Sequence, residues 1–416
     1  MQQCMHYAVE HNHEVRRAEL ELSNYQAART DAAGRFLPSA SANIGAQYNF
    51  GRAIDPETNM YTNVSTFYNS YQLQASLPVF DGFSRVHALR AAKASVLMGQ
   101  SALRQRQNQT ALSAMQAYTN AVYYEGLVRM AREKVEETTL LLRQTRVLEE
   151  VGRKSLADVA QVESQKAEAD YELTRQQNLR ASAMLELKKS MAFPMQDTLQ
   201  VYSRLEQSHL PSESLPAGSE IPAVNGENPE LQASRFQMQA SRHEWHQARA
   251  SLYPSLSLGA GLNTTYSHTL HADAAQPFHT QLKNNMGQYV VATLSIPLFN
   301  RLQTITGIRR ARNNYRIARE NYEQKLLEIE KLAREARQDW LAYQRQARQM
   351  QEKVEADSIA YQLTRRQFEE GLSTAIDLRT TSAQLLNSKA TLLQCRLMVM
   401  VKAYLIRYYR GEQIWE

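Results

Sequence analysis

The residues whose types best suit them to chemistry are the histidines and the two cysteines. His243-Glu244-Trp245-His246 places two imidazoles three positions apart with a carboxylate beside the first. A zinc-hydrolase helix instead needs histidines at i and i+4 flanking a catalytic Glu, so this spacing does not predict a metal centre. His268, His271 and His279 fall in the loop of what reads below as a second hairpin, where solvated loop imidazoles are expected rather than a metal cluster. Cys4 and Cys395 stand near opposite ends of the chain, too far apart in sequence to suggest a ligand cluster or a disulfide framework. Each is expected as a small buried apolar residue. Polar Gln2 and Gln3 precede Cys4 where a lipidated cysteine needs small and apolar neighbours, so lipidation is not expected there. There is no nucleophile elbow, phosphate loop or glycine-rich dinucleotide turn. The chemistry-bearing residues therefore predict no enzyme, no cofactor and no metal, and attention moves to the elements around them.

A chain of 416 residues with 43% apolar side chains can bury a substantial core. Its 48 Lys and Arg against 42 Asp and Glu leave a net charge of +6, mild for this length and read along the sequence without a basic block, so nucleic acid is not an expected partner. A spanning helix needs ~18 consecutive apolar residues, and the most apolar run, Leu397 to Val401, meets Lys402. The chain opens without a charged region followed by an apolar one, which is expected either of a cytoplasmic chain or of one whose signal peptide is gone.

The sequence is written twice. Leu77-Pro78-Val79-Phe80-Asp81 matches Ile296-Pro297-Leu298-Phe299-Asn300 at an offset of 219, and the same offset pairs Gly152 with Gly371, Asp158 with Asp377 and Val159 with Leu378. Upstream, Leu37-Pro38-Ser39 matches Tyr253-Pro254-Ser255 at 216, so a hairpin loop absorbs three residues. No proline occurs from Val79 to Phe193 or from Leu298 to Glu416, and both stretches are rich in good helix formers. They predict long helices, about 82–151 and 301–370, reversing at Gly152 and Gly371. Five of the 11 prolines instead punctuate the segment between the repeats, which reads as a connector with some local structure around Val201 to Leu205.

Within the second long stretch, Ile329, Ala333, Ala336, Trp340, Tyr343, Ala347, Met350 and Val354 alternate in steps of four and three, the heptad spacing of a coiled coil. Shifted back by 219 the positions are Thr110, Ala114, Ala117, Ala121, Tyr124, Val128, Ala131 and Val135. Alanine in the seam allows helices to approach closely, as a ring of helices requires; an ordinary helical bundle explains heptads equally well.

The segments before the helices alternate with period two. Ala40, Ala42, Ile44, Ala46, Tyr48 and Phe50 share one face against Ser39, Ser41, Asn43, Gly45, Gln47 and Asn49, and Tyr71, Leu73, Ala75 and Leu77 repeat the pattern. In the second half Leu256, Leu258, Ala260, Leu262 and Tyr266 face with Val290, Ala292, Leu294 and Ile296. Strands of about nine to eleven residues suffice to cross a bilayer at a tilt. Tyr48, Phe50, Tyr71 and Tyr266 suit the interfacial girdle. A soluble sandwich with one wet face fits these strands equally.

Four strands left open in hydrocarbon would strand backbone N–H and C=O groups at both edges, so on the membrane reading they close with copies of themselves. About eight strands are needed to close a small barrel, which makes two chains the minimum and three a wide pore. Each long helix, at ~1.5 Å per residue, spans roughly 100 Å, several bilayer thicknesses, as the wall of a tube in an aqueous compartment would.

Taken together, these residues resemble the outer membrane efflux protein family of TolC-like channels over nearly the whole chain. The resemblance rests on the opening helix with Ala8-Val9-Glu10-His11-Asn12, the strand entries Leu37-Pro38 and Tyr253-Pro254, Leu77-Pro78-Val79-Phe80-Asp81-Gly82, and Val151-Gly152 through Asp158-Val159 with its second copy, Gly371 through Asp377-Leu378. It implies an α+β membrane protein: a homotrimer with four strands per chain in a shared 12-stranded transmembrane barrel, and long antiparallel coiled-coil helices forming an α-barrel. The first repeat would occupy 1–208, a connector in the equatorial belt 209–228, and the second repeat 229–416. The implied place is the bacterial outer membrane with a periplasmic extension. The implied partners are a periplasmic adaptor, an inner-membrane transporter and outer-membrane lipid, and the function is passive conduction of exported substrates.

In that family the helix-turn-helix tips meet the adaptor and close the tunnel. Here the implied tips are Val151, Gly152 and Arg153 in the first repeat and Gly371, Leu372 and Ser373 in the second. The implied constriction involves Asp377 and Thr380, with Asp158 and Arg379 nearby. A well-described relative carries acidic residues at the positions of Asp377 and Thr380 and a basic latch at Ser373; here one acidic ring remains, and Arg153 and Arg379 are the tip cations. Asp377 is equally placed to cap the returning helix. The rival reading, a soluble coiled-coil scaffold, explains the heptads but not the amphipathic hairpins.

Overall fold

The two proline-free stretches form the longest elements of the chain. A computed structural model describes residues 1–54, 59–63, 65–201, 228–270 and 276–415. In chain order the elements are α1 (Gln2–His11), α2 (His13–Gly34), β1 (Ser39–Asn49), β2 (Arg52–Ile54), β3 (Tyr61–Asn63), β4 (Thr66–Phe80), α3 (Ser84–Glu150), α4 (Leu156–Ser190), α5 (Pro229–Ala250), β5 (Ser255–Thr269), α6 (Phe278–Asn284), β6 (Gly287–Ser295), α7 (Gln303–Glu369) and α8 (Ala375–Tyr409). α3 and α7 are each 67 residues long, and α4 and α8 each 35, with every boundary displaced by the same 219 positions. The expected connector at 209–228, apart from Asn228, the local structure expected around Val201 to Leu205, apart from Val201, and His271 lie outside the described residues, while His268 falls on β5 and His279 on α6 instead of in a loop.

Contacts divide the chain into two compact units that cut across the repeats: residues 1–22, 99–234 and 322–416 form one, and residues 23–98 and 235–321 the other. In the first, the alanine seam is buried as the heptads predict, with Ala114, Ala121, Ala336 and Ala347 among its innermost residues and Trp340 in the same apolar cluster as Ala336. One apolar cluster joins α1, α3, α4 and α8 through Ala8, Ala114, Ala121, Leu187, Met191 and Leu397. Cys395 is buried on α8 and Cys4 half-buried on α1.

In the second unit, one antiparallel sheet runs in the order β1-β4-β5-β6. β4 and β5 are 15 residues each, longer than the nine to eleven expected, and pair with one another from Thr66↔Thr269 to Phe80↔Leu256. Central strands find backbone partners on both sides, which extends pairing beyond what the apolar alternation alone marks. The edge strands β1 and β6 have 11 and nine. Helix α6, which interrupts the second hairpin, was not anticipated. Its Gln281 side chain accepts from Ser267 N–H at 3.0 Å and donates to Ser267 C=O at 3.0 Å, standing in for a neighbouring strand.

Each repeat turns from strand to helix through two consecutive left-handed residues, Gly82 and Phe83 (φ 66° and 67°) in the first and Arg301 and Leu302 (φ 56° and 64°) in the second. A Cβ on Gly82 would lie 2.6 Å from the Ala250 carbonyl oxygen and 2.8 Å from Tyr253 Cβ, against backbone that cannot yield. Gly82→Ala is therefore expected to destabilise by about 1–3 kcal/mol, whereas Arg301→Gly, which relieves the Cβ clash of a left-handed residue, is expected to be neutral or stabilising by up to about 1 kcal/mol. Thermal unfolding of the two variants should give shifts of opposite sign or a loss confined to Gly82→Ala; equal losses in both would refute this account of the junctions.

Candidate functional site: the amphipathic sheet and the helical tips

The register decides what each face of the sheet presents. Paired residues share a face, so Ala40, Ala75, Ala260 and Val290 line up across all four strands, as do Ala42, Leu73 and Leu262, and Leu77, Leu258 and Ala292. The apolar alternation of the two hairpins thus merges into one continuous apolar face. That face is exposed: Ile44 is 74% accessible, Leu73 50% and Val290 83%. The opposite face carries Ser41, Gln74, Asn43, Gln72, Asn263, Ser70 and Thr265, broken by Tyr289 and Val291. Those two bulky side chains lie over Gly261 and Gly259, where an added Cβ would come within 2.6 and 3.0 Å of them. The two glycines of β5 thereby make room for these side chains.

The tips at the far ends of the long helices are built alike. α3 ends at Gly152 (φ 74°), with Gly152 N–H donating to Glu149 C=O at 2.8 Å and Arg153 N–H to Leu148 C=O at 2.8 Å. α7 ends at Gly371 (φ 83°), with Gly371 N–H donating to Phe368 C=O at 3.1 Å and Leu372 N–H to Gln367 C=O at 2.8 Å. These are paired glycine C-caps of the Schellman type. The returning helices open with matching capping boxes, Ser155 with Asp158 and Thr374 with Asp377.

Asp377 Oδ2 accepts from Thr374 Oγ1 at 2.6 Å, Thr374 N–H at 3.1 Å and Ser373 Oγ at 3.3 Å. Those hydrogen bonds, the Thr374 hydroxyl foremost, hold its carboxyl below the ordinary carboxylate range. Asp158 is held down in the same way, chiefly by the Ser155 N–H. Val151 and Leu372 project apolar side chains into solvent, at 63% and 76% exposure. Thr380 Oγ1 donates to Ile376 C=O at 2.9 Å, and Arg379 Nε lies 3.7 Å from Glu168 of α4.

Two further links join the tips. Lys154 Nζ sits 3.8 Å from the centroid of Phe368, a ring with 1% exposure, and Gln165 Nε2 donates to Ala375 C=O at 3.0 Å. The contact partners are more than 200 positions apart, and heptad spacing alone does not show which pairs meet.

His243 and His246 of α5 are joined by His87 of α3, at ring-centroid distances of 6.0 and 5.1 Å. The rings stack within 23–29° of parallel, and among the described residues no group of three His, Cys, Asp or Glu is placed to hold a metal ion. Burial, then the neighbouring histidines and the cations Arg90, Arg242 and Arg249, pushes the three imidazoles below their usual value. His87 was the histidine that sequence spacing could not bring to the pair.

The model of the outer membrane efflux protein family matches residues 5–192 and 221–401. Among solved structures, the chain is similar to CusC (16% identity, TM-score 0.85, 99% of this chain and 92% of that one) and to the outer-membrane channel OprN (18%, 0.84, 100% and 90%). It is likewise similar to the CmeC outer membrane channel of Campylobacter jejuni (16%, 0.84, 98% and 85%). At these identities the likeness carries the fold. No curated protein sequence matches the chain.

Ser155→Ala and Thr374→Ala each remove an N-cap, and each is expected to cost about 0.5–2 kcal/mol locally, read as faster hydrogen exchange of the amides just after the substitution with the sheet unchanged. Because the Asp158 and Asp377 carboxyls are held low, the contribution of both caps is fully present above pH 3.8 and is lost as pH falls below it. The histidine cluster has the opposite charge type. Imidazoles held below 6.5 resist protonation in the folded chain, so they leave stability unchanged above that value and lower it as pH falls from there through their lowered values. Thermal unfolding between pH 7.5 and 5 should show a loss that His87→Phe blunts; an identical pH dependence in that variant would remove the cluster as its cause.

Proposed function

This chain belongs to the outer membrane efflux protein family and is an outer-membrane exit duct, and from that premise we propose how it is assembled and gated. The observation that carries the proposal is the open sheet with its exposed apolar face. β1 and β6 are its free edges, and they run antiparallel to one another because three antiparallel pairings separate them. β6 of one chain can therefore pair with β1 of the next without breaking the antiparallel order, and three chains close a 12-stranded barrel. The apolar face then meets lipid and the Ser, Asn, Gln and Thr face lines the pore.

Each chain contributes its two repeats, 1–208 and 229–416, joined by the connector at 209–228, and its long helices to the wall of a periplasmic tunnel. The tips at Val151, Gly152 and Arg153 and at Gly371, Leu372 and Ser373 dock a periplasmic adaptor, the exposed Val151 and Leu372 supplying apolar contacts. An inner-membrane transporter delivers the substrate, and conduction through the duct is passive. The family is one of channels, and the proposal gives the chain no catalytic role.

Asp377, one per protomer, forms the acidic ring at the constriction, with Thr380, Asp158 and Arg379 around it. The same carboxylate caps α8, so its two roles need separate variants. Asp377→Asn removes the charge and retains an oxygen acceptor for the cap, whereas Thr374→Ala weakens the cap and leaves the charge. Single-channel recording in planar bilayers should show altered conductance and a lost acid dependence in Asp377→Asn, with Thr374→Ala close to the parent. If Asp377→Asn conducts as the parent does at every pH, the ring is not the constriction. A trimer is expected by native mass spectrometry in detergent, and any other closed number would overturn the barrel count.

A further inference from the structure

The unit that contains the sheet also holds the chain's excess positive charge. Residues 23–98 and 235–321 contain 16 Lys and Arg against 7 Asp and Glu, while the rest of the chain contains 32 against 35. The charge is not evenly spread: residues 235–321 already carry 10 of these 16 cations, and folding brings the six of residues 23–98 into the same unit.

Within that unit the cations gather where helices adjoin strands. Six arginines and no carboxylate lie between 301 and 319, and three cations and no carboxylate lie between 82 and 98. Arg309, Arg312 and Arg316 recur at steps of three and four and so share one face of α7 with Ile305. At the 219 offset, Arg309 and Arg312 occupy the positions of Arg90 and Lys93, so each repeat keeps a cation pair six and nine residues into its long helix. α5 adds Arg249 in its last turn and Arg242 two turns earlier. Arg90, Lys93, Arg301, Arg309, Arg312 and Arg316 are exposed, and among the described residues none has a carboxylate partner. Like charges stacked on one helix face repel, and an anion bound outside the chain would relieve that repulsion.

The position of the cations says which anion. Phe36, Phe83, Tyr253 and Phe299 are exposed in the linkers between sheet and helices, at the level where aromatic side chains mark a membrane interface. Arg301 follows Phe299 by two residues, and the repeated cation pairs stand roughly 9 and 14 Å along their helices. Those are distances at which flexible basic side chains reach headgroups and at which the field of an anionic surface, with a Debye length of about 8 Å, still acts.

We propose that the cations at the starts of α3 and α7 and the end of α5 form a collar that binds anionic phospholipid headgroups of the leaflet on the helical side of the membrane. The collar rests on the sheet being the membrane-spanning part, and wild-type channel conductance tests that reading separately.

The test uses the full chain in detergent, exchanged into mixed micelles of phosphatidylglycerol and phosphatidylcholine in equal amounts, with the retained lipid measured by mass spectrometry. Phosphatidylglycerol is expected to be enriched about threefold at ~0.1 M salt and to fall toward parity at ~0.5 M, because screening shortens the reach of the cations. The combined variant Arg90→Gln, Lys93→Gln, Arg309→Gln and Arg312→Gln should lose the enrichment, and the charge-retaining variant Arg90→Lys, Arg309→Lys and Arg312→Lys should keep it. Parity in the parent protein at low salt overturns the proposal, and that arm needs no variant to fold. Enrichment that survives the combined variant overturns it too. If that variant instead shifts the ion selectivity of the channel and leaves lipid retention unchanged, the cations line the conduit and not the membrane surface.

Discussion

A backbone N–H or C=O without a partner cannot be left in hydrocarbon, and that constraint governs everything about the sheet. Within one chain β1 and β6 each have one unpaired side, and the apolar face formed by residues such as Ile44, Leu73 and Val290 is open to solvent. A protomer folded in this way is incomplete as a membrane structure. Closure by identical neighbours would satisfy the edges and give the apolar face a lipid environment in the same step. The central β4–β5 pairing, 14 residue pairs long, fixes the register that both outer strands inherit.

The tips follow a different economy. Each must reverse a long helix within a few residues and still present chemistry to whatever meets it. Glycine in the left-handed region ends one helix and a Ser or Thr with an Asp opens the next, so the aspartate at the candidate constriction is already engaged in holding its own turn. A carboxylate fixed by three donors is ionised and immobile, which suits a charged ring, and replacing it alters structure and charge together. The contacts from Lys154 to Phe368 and from Gln165 to Ala375 tie the two hairpins where the turns alone would not.

Local rules made some features legible in advance. Proline exclusion and helix-forming composition placed α3 and α7 within two residues of their observed ends, and the alternation of Ala40 to Phe50 and Leu256 to Leu262 identified both hairpins and their apolar faces. Other features depend on which segments meet. α6 is a short helix whose value lies in Gln281 pairing with β5, and neither its composition nor its period announces that. His87 is 156 positions from His243, and its approach to the α5 pair follows from packing between helices of different repeats.

The duplication, the helix lengths, the reversals at Gly152 and Gly371 and the amphipathic strands are all legible in the residues alone, because each is written in periods of two, three to four, or 219 residues. Tertiary structure decided what distant segments do together: the merging of two apolar faces into one, the clasp between the tips, the histidine cluster, and the collection of 16 cations into the unit that holds the sheet. The physical reason is that hydrogen-bonding and helical periodicity act between near neighbours, while charge and side-chain packing act across space and become readable only once the chain has brought its segments side by side.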